Sequence, residues 1–153
     1  MNEETNLKKV KRPSKENYYL GIAKAVSERS TCLRRQYGAV IVKHDRIVST
    51  GYNGSPRGEE NCCDKGYCHR EAMNLPHGKC YDSSCPAVHA ENNAIIQANP
   101  QDLKDSVLYL YGSENGNPIE SEPCEMCKRI IKNAGISKVI GSSEISEYVI
   151  LNF

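Results

Sequence analysis

The spacing of apolar residues predicts a helix followed by a hairpin in the first third of the chain. Ser14 is a preferred helix-capping residue, and apolar side chains recur at helical spacing after it, namely Tyr18, Tyr19, Ile22, Ala23 and Val26. Gly38–Val42 and Ile47–Tyr52 are rich in β-branched residues and flank the polar turn Lys43–Arg46. This pattern is typical of two antiparallel strands joined by a short turn.

The second half of the chain alternates between helices and strands. Apolar residues recur at helical spacing after His89 and again after Pro123, which is expected in the first turn of its helix. Gly135 is a typical helix stop. The runs that favour strands are Val107–Tyr111, Lys138–Ser142 and Tyr148–Phe153, and the polar segment Gly112–Glu122 is predicted to be a loop. We therefore expect an α/β fold in which a mixed sheet carries helices on both faces, in three layers.

One long segment, Asn53–Val88, has no periodic apolar pattern, yet it holds five of the eight cysteines. A loop of this length inside a compact domain requires a binding function or a metal that orders it. The segment is therefore a candidate for ligand or metal binding.

Length, charge and cysteine content narrow the classes of function. A chain of 153 residues can bury a full core, which we assign to one domain at 14–153 after a basic tail at 1–13. A net charge of +1 predicts no nucleic-acid partner. The chain has no secretory or membrane-spanning run, so we expect a cytoplasmic protein without a membrane partner. In that compartment, cysteines clustered with histidines indicate metal binding and not disulfides.

Two short motifs carry the predicted chemistry, His89-Ala90-Glu91 and Pro123-Cys124-Glu125-Met126-Cys127. One histidine and two cysteines are zinc ligands, and three protein ligands leave the fourth position for water. Glu91 is placed to move protons to and from that water. The arrangement H-x-E…P-C-x-x-C is the signature of zinc-dependent nucleobase deaminases. A closed structural zinc site, or buried thiols without a metal, is the alternative, but neither of these requires Glu91.

Several separate segments carry a family resemblance. They are Ser30-Thr31-Cys32-Leu33-Arg34-Arg35, Gly38-Ala39-Val40-Ile41-Val42, Thr50-Gly51-Tyr52-Asn53-Gly54-Ser55-Pro56, His89-Ala90-Glu91-Asn92-Asn93-Ala94-Ile95, Pro123-Cys124-Glu125-Met126-Cys127 and Asn133-Ala134-Gly135-Ile136. From about Tyr18 to Val139, the chain resembles the deoxycytidylate (dCMP) deaminase family of the cytidine deaminase-like zinc superfamily. The stretch Gly51-Tyr52-Asn53-Gly54 separates this family from many related ones.

The resemblance implies a cytidine deaminase-like fold with a mixed five-stranded sheet. Whether this sheet is shortened at its C-terminal end stays open. It implies hydrolytic deamination of dCMP to dUMP and ammonia, a step in pyrimidine nucleotide metabolism. Glu91 would be the general acid and base, and the ligands of the catalytic zinc would be His89, Cys124 and Cys127. Asn53 would bond the sugar, and backbone groups near Ala90 would hold the base. Members of the family assemble as dimers or hexamers.

Two further sets of residues are candidates for ligand binding. A nucleotide phosphate requires cations or N–H donors, and Arg34, Arg35 and Arg57 lie in segments expected to approach the pocket. Some members of the family hold a second, structural zinc where this chain has Cys32, Cys62, Cys68 and Cys85. The ligand set stays open, because Cys63, Cys80, His69 and His77 are nearby. Reduced free thiols are the alternative to that metal.

Other functions stay open as well. The same scaffold can deaminate another nucleoside, base or nucleotide, because a fold does not fix the substrate. A zinc-binding accessory protein associated with DNA uptake is the non-enzymatic alternative, since relatives are encoded in competence operons. The intact Glu91 favours an enzyme.

Overall fold

The structure is a computed structural model that describes residues 10–76, 85–144 and 148–153. Its elements in chain order are α1 (Lys15–Ser27), β1 (Gln36–Lys43), β2 (Arg46–Tyr52), α2 (Cys62–Lys65), α3 (His69–Ala72), α4 (Ala90–Gln97), α5 (Pro100–Leu103), β3 (Val107–Glu114), β4 (Asn117–Ile119), α6 (Glu125–Ala134), β5 (Lys138–Ser142) and β6 (Tyr148–Asn152).

The strands form one mixed sheet in the order β2-β1-β3-β5-β6. The pair β3–β5 is parallel, and the other pairs along this order are antiparallel. These five strands confirm the predicted mixed sheet, including its C-terminal strand. A short sixth strand, β4, pairs with the end of β3.

Helices cover both faces of the sheet, which confirms the three-layer architecture. On one face α1 packs on β1 and β3, where Leu20 and Ala23 are buried with Val40 and Tyr109. On the other face, α4 and α6 are buried against the same strands, and the core residues of this face include Ala90, Ala94, Cys127, Ile131, Ile41 and Leu110. No helix in the described ranges is long and apolar enough to cross a membrane.

The first helix and the hairpin form as the sequence predicts. The Ser14 Oγ accepts a hydrogen bond of 3.2 Å from the backbone N–H of Asn17, which caps α1. His44 and Asp45 turn the hairpin with φ values of 50° and 60°, as a two-residue hairpin turn requires. The Asp45 carboxylate also accepts hydrogen bonds from Lys15 and from the Tyr19 hydroxyl, so the hairpin tip is tied to α1.

A close approach between β2 and α4 sets the position of α4. A Cβ atom added at Gly51 would lie 2.3 Å from the backbone N of Ala94 and 2.5 Å from the backbone O of Ala90. Real Cβ contacts are never that short, so a glycine is required here. The closeness of strand and helix fixes where the first residues of α4 lie.

Two local predictions are wrong. Part of the polar segment Gly112–Glu122 is not a loop, because β3 continues to Glu114 and β4 pairs back on it around a turn at Asn115 and Gly116. Both turn residues have positive φ, 51° and 79°, which suits a tight hairpin. Pro123 does not lie in the first turn of α6, because Cys124 is the N-cap and Glu125 is the first helical residue.

The segment between β2 and α4 forms the two four-residue helices α2 and α3. Within its described part, 53–76 and 85–88, the buried residues are Asn53, Gly54 and Arg70, and no apolar side chain is buried. The candidate ligands His77 and Cys80 lie outside the described residues.

Candidate active site

The two motifs predicted to bind zinc meet at one point. The His89 Nδ1 lies 3.6 Å from the Cys124 Sγ and 3.3 Å from the Cys127 Sγ. Over the described ranges, this is the one group that brings at least three histidine, cysteine or carboxylate donor atoms within 4.8 Å of one another. One imidazole and two thiols match the donors of a catalytic zinc site, so the residues present fit this metal.

Helix starts position all three donors. His89 is the N-cap of α4, and Cys124 is the N-cap of α6. The Cys124 Sγ accepts a hydrogen bond of 3.4 Å from the backbone N–H of Cys127, so this thiol caps the helix as well as facing the metal site. The positive end of each helix dipole favours thiolates, which are the form that binds zinc.

Glu91 lies in the first turn of α4, and its side chain is buried, with 5% of the residue exposed. It lines the same cavity as His89 and Cys124. Burial raises the pKa of this carboxyl above its ordinary value. A raised pKa suits a carboxyl that must both accept and donate protons as a general acid and base.

His89 and Cys124 line a cavity of about 420 Å³, which is in the size range of pockets for small ligands. Side chains from several segments line it, including Cys32, Arg34, Arg35, Tyr37, Asn53, Cys62, Cys68, Arg70, Cys85, His89, Ala90, Glu91, Glu122 and Cys124. The cavity therefore joins the predicted catalytic residues to the cysteine-rich segment. Arg57 is exposed and is not among the lining residues.

Asn53 is buried at the cavity wall, and its side chain is held by three hydrogen bonds. Its Oδ1 accepts from the Ser30 Oγ at 2.6 Å and from the backbone N–H of Tyr37 at 2.9 Å. Its Nδ2 donates to the backbone O of Arg35 at 3.0 Å. These contacts fasten the segment that joins α1 to β1 against the end of β2. An amide nitrogen carries two hydrogens, so one Nδ2 hydrogen is used in this clamp and the other can serve a ligand.

Two arginines predicted to bind phosphate reach the cavity. The Arg34 Nη2 donates to the backbone O of Leu75 at 2.9 Å, and the Arg35 Nη2 lies 3.6 Å from the Glu114 Oε2. The Arg35 Nε is buried and has no hydrogen-bond partner. Each of these guanidinium groups is thus fixed by a neighbour while it lines the ligand space.

The four cysteines assigned to a second zinc, Cys32, Cys62, Cys68 and Cys85, all line this cavity. Burial, followed by the proximity of the Cys85 and Cys62 thiols, raises the pKa of Cys32 to about 12. In the described part of the chain, no three of their sulfur atoms lie within 4.8 Å of one another. The donor chemistry fits a zinc site, and closing a metal shell would require the four thiols to draw together.

Sequence reasoning missed two charged residues at the cavity, Arg70 and Glu122. Arg70 lies in the segment without apolar periodicity, so no pattern indicated which way its side chain faces. Glu122 directly precedes Pro123-Cys124, and its nearness to a metal ligand was a signal that could have found it. The Glu122 carboxylate pairs with the Lys128 Nζ at 2.5 Å.

Comparisons with known proteins agree with this geometry. The model of the cytidine and deoxycytidylate deaminase zinc-binding region matches residues 13–143. The deoxycytidylate deaminase of Mycobacterium phage D29 is 38% identical over 137 residues, which cover 87% of this chain and 98% of that protein. The deoxycytidylate deaminase of Schizosaccharomyces pombe is 35% identical over 130 residues, which cover 84% of this chain and 37% of that protein.

A solved structure gives the same result at the level of the fold. The dCMP deaminase of cyanophage S-TIM5, in a crystal structure with dCMP and dUMP, superposes with a TM-score of 0.63 at 26% identity, covering 86% of this chain and 83% of that one. His89, Glu91, Cys124 and Cys127 all lie inside the range matched by the family model. The chain therefore belongs to the cytidine and deoxycytidylate deaminase family.

Proposed function

We propose that this protein catalyses the zinc-dependent hydrolytic deamination of dCMP, in which dCMP and water give dUMP and ammonia. The observation that carries the proposal is the set of three donors, His89, Cys124 and Cys127, two of which, His89 and Cys124, line one cavity with the buried Glu91. A structural zinc site has four protein ligands and no need of a neighbouring general base. The deoxycytidylate deaminase of phage D29, matched over nearly its whole length, supports dCMP as the substrate.

The chemistry divides between the metal and Glu91. When bound, zinc lowers the pKa of the water that attacks C4 of the cytosine ring. Glu91 accepts one proton from this water and delivers it to N3 of the ring, and it then takes the second proton from the new hydroxyl on C4 and passes it to the departing amine. The C4–N bond breaks, ammonia leaves, and the ring carbonyl of dUMP remains. Burial of Glu91 keeps bulk water away from these transfers.

Other cavity residues hold the substrate in this proposal. Backbone groups near Ala90, at the start of α4, contact the base, and the remaining Nδ2 hydrogen of Asn53 bonds the sugar. Arg34 and Arg35 supply positive charge for the phosphate from the cavity wall. Arg57 is the third candidate, and its exposed position outside the cavity wall gives it less support.

We also propose a second, structural zinc bound by Cys32, Cys62, Cys68 and Cys85. Support comes from their shared position at the cavity and from the absence of buried apolar side chains in 53–76 and 85–88. A segment that buries no apolar surface gains little from packing, and a metal would supply the missing stabilisation. Elemental analysis of protein purified without chelators should give two zinc ions per chain.

The assembly and the compartment are further parts of the proposal. Ile96 on α4 and Met126 on α6 are exposed, at 72% and 42%, which suits a homo-oligomer such as a dimer or a hexamer. The cytoplasm is the compartment that keeps the free thiols reduced. The division into a basic tail at 1–13 and one domain at 14–153 stays a prediction.

Measurement of ammonia release from dCMP, dCTP, cytidine and guanine tests the proposed reaction. We expect dCMP to be the preferred substrate. Faster release from guanine or cytidine would assign the same centre to another deaminase reaction. No release from any substrate by zinc-loaded protein would favour a binding protein over an enzyme.

A further inference from the structure

Ser121 is a fully buried serine in the segment that leads from β4 to the metal donors at the start of α6. None of its surface is exposed, and Pro123 is buried as well, while Glu122 between them lines the cavity. Burying a hydroxyl costs free energy unless it has hydrogen-bond partners. The partners of Ser121 therefore identify what holds this segment in place.

The Ser121 hydroxyl is paired with the hydroxyl of Ser142, the last residue of β5. The two Oγ atoms lie 2.8 Å apart, and they lie 3.1 Å and 3.0 Å from the backbone O of Ile119. The Ser142 Oγ also accepts a hydrogen bond of 3.2 Å from the backbone N–H of Gly112, and the Ser121 N–H donates to the backbone O of Ser142 at 2.9 Å. Each hydroxyl has one hydrogen, so one serine donates to the Ile119 carbonyl and the other donates to that serine. Both hydroxyls are thus satisfied, and together they bridge β3, β4 and β5.

Two glycines form the slot that Ser121 occupies. A Cβ atom added at Gly141 of β5 would lie 1.9 Å from the backbone O of Ser121, and one added at Gly112 of β3 would lie 2.6 Å from the Ser121 Oγ. Cβ contacts under 3.0 Å essentially never occur, so the segment lies closer to both strands than a side chain at either position would allow. These strands are parallel neighbours, and Gly141 pairs with Leu110, so the slot lies toward their carboxyl ends.

This slot lies three residues before Cys124, a donor of the proposed catalytic zinc. Pro123 stands between them with a backbone dihedral fixed by its ring, so the chain has little freedom from Ser121 to the thiol. The Cys124 Sγ lies 3.6 Å from the His89 Nδ1, and these two donors belong to the starts of different helices. Donors from separate elements bind one metal only when both elements are held in place. The slot supplies such a support for Cys124, in addition to the core packing of α6.

We infer that the Ser121–Ser142 hydroxyl pair positions the catalytic metal site, because it seats the segment that carries Cys124 on the ends of β3 and β5 and so holds this thiol beside His89. The inference rests on the proposed zinc centre and goes beyond it. Neither serine lines the cavity or belongs to the group of metal donors, so both are positioning residues that act through Cys124.

The test measures zinc affinity by competition with a chromogenic chelator, together with the visible absorption spectrum of the Co²⁺-substituted protein, which reports the metal's coordination geometry. The variants are Ser121→Ala and Ser142→Ala, and Ser106→Ala is the matched control. Ser106 is also fully buried, and its Oγ donates to the backbone O of Leu103 at 2.6 Å. It lies just before β3, at the opposite end of that strand from Gly112, and does not line the cavity.

For each variant of the pair we expect zinc affinity to fall about 10-fold, at the lower end of the losses seen when groups that support metal ligands are removed. The Co²⁺ absorption bands should shift as the thiol moves. The two hydroxyls form one bridge, so the double variant should bind zinc within about 3-fold of either single variant. Ser106→Ala should lower Tm by a similar amount and leave zinc affinity and the spectrum unchanged.

Wild-type zinc affinity and spectrum in both Ser121→Ala and Ser142→Ala would overturn the inference, and so would an equal loss in Ser106→Ala, because the pair would then serve stability alone. Losses that add in the double variant would overturn the shared bridge. These measurements involve no deamination, so zinc-loaded wild type that releases no ammonia from dCMP would overturn the proposed function and leave the inference standing. A wild type that binds no zinc would overturn both. If Ser121→Ala does not fold, Ser142→Ala, which removes the bridge from the β5 side, decides the outcome.

Discussion

One part of the cavity wall comes from α4 and α6, and another comes from the cysteine-rich segment between β2 and α4. The first part stands on a packed core, in which Ala90, Ala94, Cys127 and Ile131 are all fully or almost fully buried. The second part has two helices of four residues and buries Arg70 but no apolar side chain in its described ranges. Burial of apolar surface is the main favourable contribution to folding, so the two parts must be held by different forces.

In our proposal, this difference separates the catalytic residues from the residues that bind the substrate. The proposed zinc donors and Glu91 are held by helices whose positions follow from core packing, so their geometry resists change. In the second part, Arg70 donates a hydrogen bond to the backbone O of Pro76, and our proposal adds a second metal there. We therefore expect changes in the first part to affect kcat or folding, and changes in the second part to affect KM.

Glu91→Gln should cause the largest loss. A glutamine keeps the shape but cannot transfer the proton, so kcat should fall about 10²–10⁴-fold while the catalytic zinc stays bound. Steady-state kinetics and elemental analysis measure the two effects. Glu125→Gln, at an exposed position of α6, is the control with unchanged activity. Loss of zinc from the Glu91 variant would contradict the role of Glu91, since that result is expected for Cys127→Ser.

Gly51→Ala should destabilise the packed part of the wall, because the added methyl group would clash with backbone atoms of α4. The new Cβ would lie 2.3 Å from the backbone N of Ala94, so β2 or α4 must move. We expect a loss of about 1–3 kcal/mol in the free energy of unfolding, measured by denaturant titration, and a lower kcat. Gly21→Ala is the matched control, because nothing lies within 4 Å of its added Cβ and alanine is the better helix former. Equal stability of the two variants would show that α4 is not held by this contact.

Cys62→Ser tests the less packed part. Removal of one proposed ligand should lower Tm and raise KM for dCMP while the catalytic zinc and kcat are retained. Cys63→Ser is the neighbouring control, because Cys63 is exposed and does not line the cavity. A variant with the same zinc content and KM as the wild type would mean that the four thiols bind no metal.

Tyr19→Phe should have the smallest effect, since Tyr19 lies on the opposite face of the sheet from α4 and α6. The hydrogen bond to Asp45, followed by burial, raises the pKa of Tyr19 to about 12 from 10.0. Because the pKa of Tyr19 is higher in the folded state, its hydroxyl stabilises the protein fully at pH values below the pKa of the unfolded state. This contribution is lost as the pH rises to the pKa of the folded state. The wild type should therefore exceed the variant in Tm by a few degrees at neutral pH, and the gap should close between pH 10 and pH 12. A gap that stays constant over this range would contradict the assigned bond, and kcat should be the same in both proteins.

The extent to which the sequence predicts the structure follows the same division. The capped helix α1, the hairpin and the meeting of His89 with Cys124 and Cys127 were predictable, because each depends on residues close in sequence or on a motif with fixed spacing. The hairpin formed by β3 and β4 was missed because its residues are polar, although Asn115-Gly116 is a recognised signal for a tight turn. The direction of the Arg70 side chain depends on contacts at Pro76, and no local pattern encodes such a contact.

The bonds that clamp Asn53 also bear on how the purified protein ages. The chain contains two Asn-Gly sequences, and such pairs lose side-chain ammonia when the following backbone nitrogen attacks the carboxamide carbon. At Asn53 the carboxamide is tied at both ends, and the Gly54 N–H is engaged with the backbone O of Val88 at 3.2 Å. Asn115 is exposed in a turn and does not line the cavity. Loss of side-chain ammonia should therefore occur at Asn115 and not at Asn53, and it adds a negative charge at the β3–β4 turn. Stored protein should become heterogeneous in charge while its catalytic activity stays uniform.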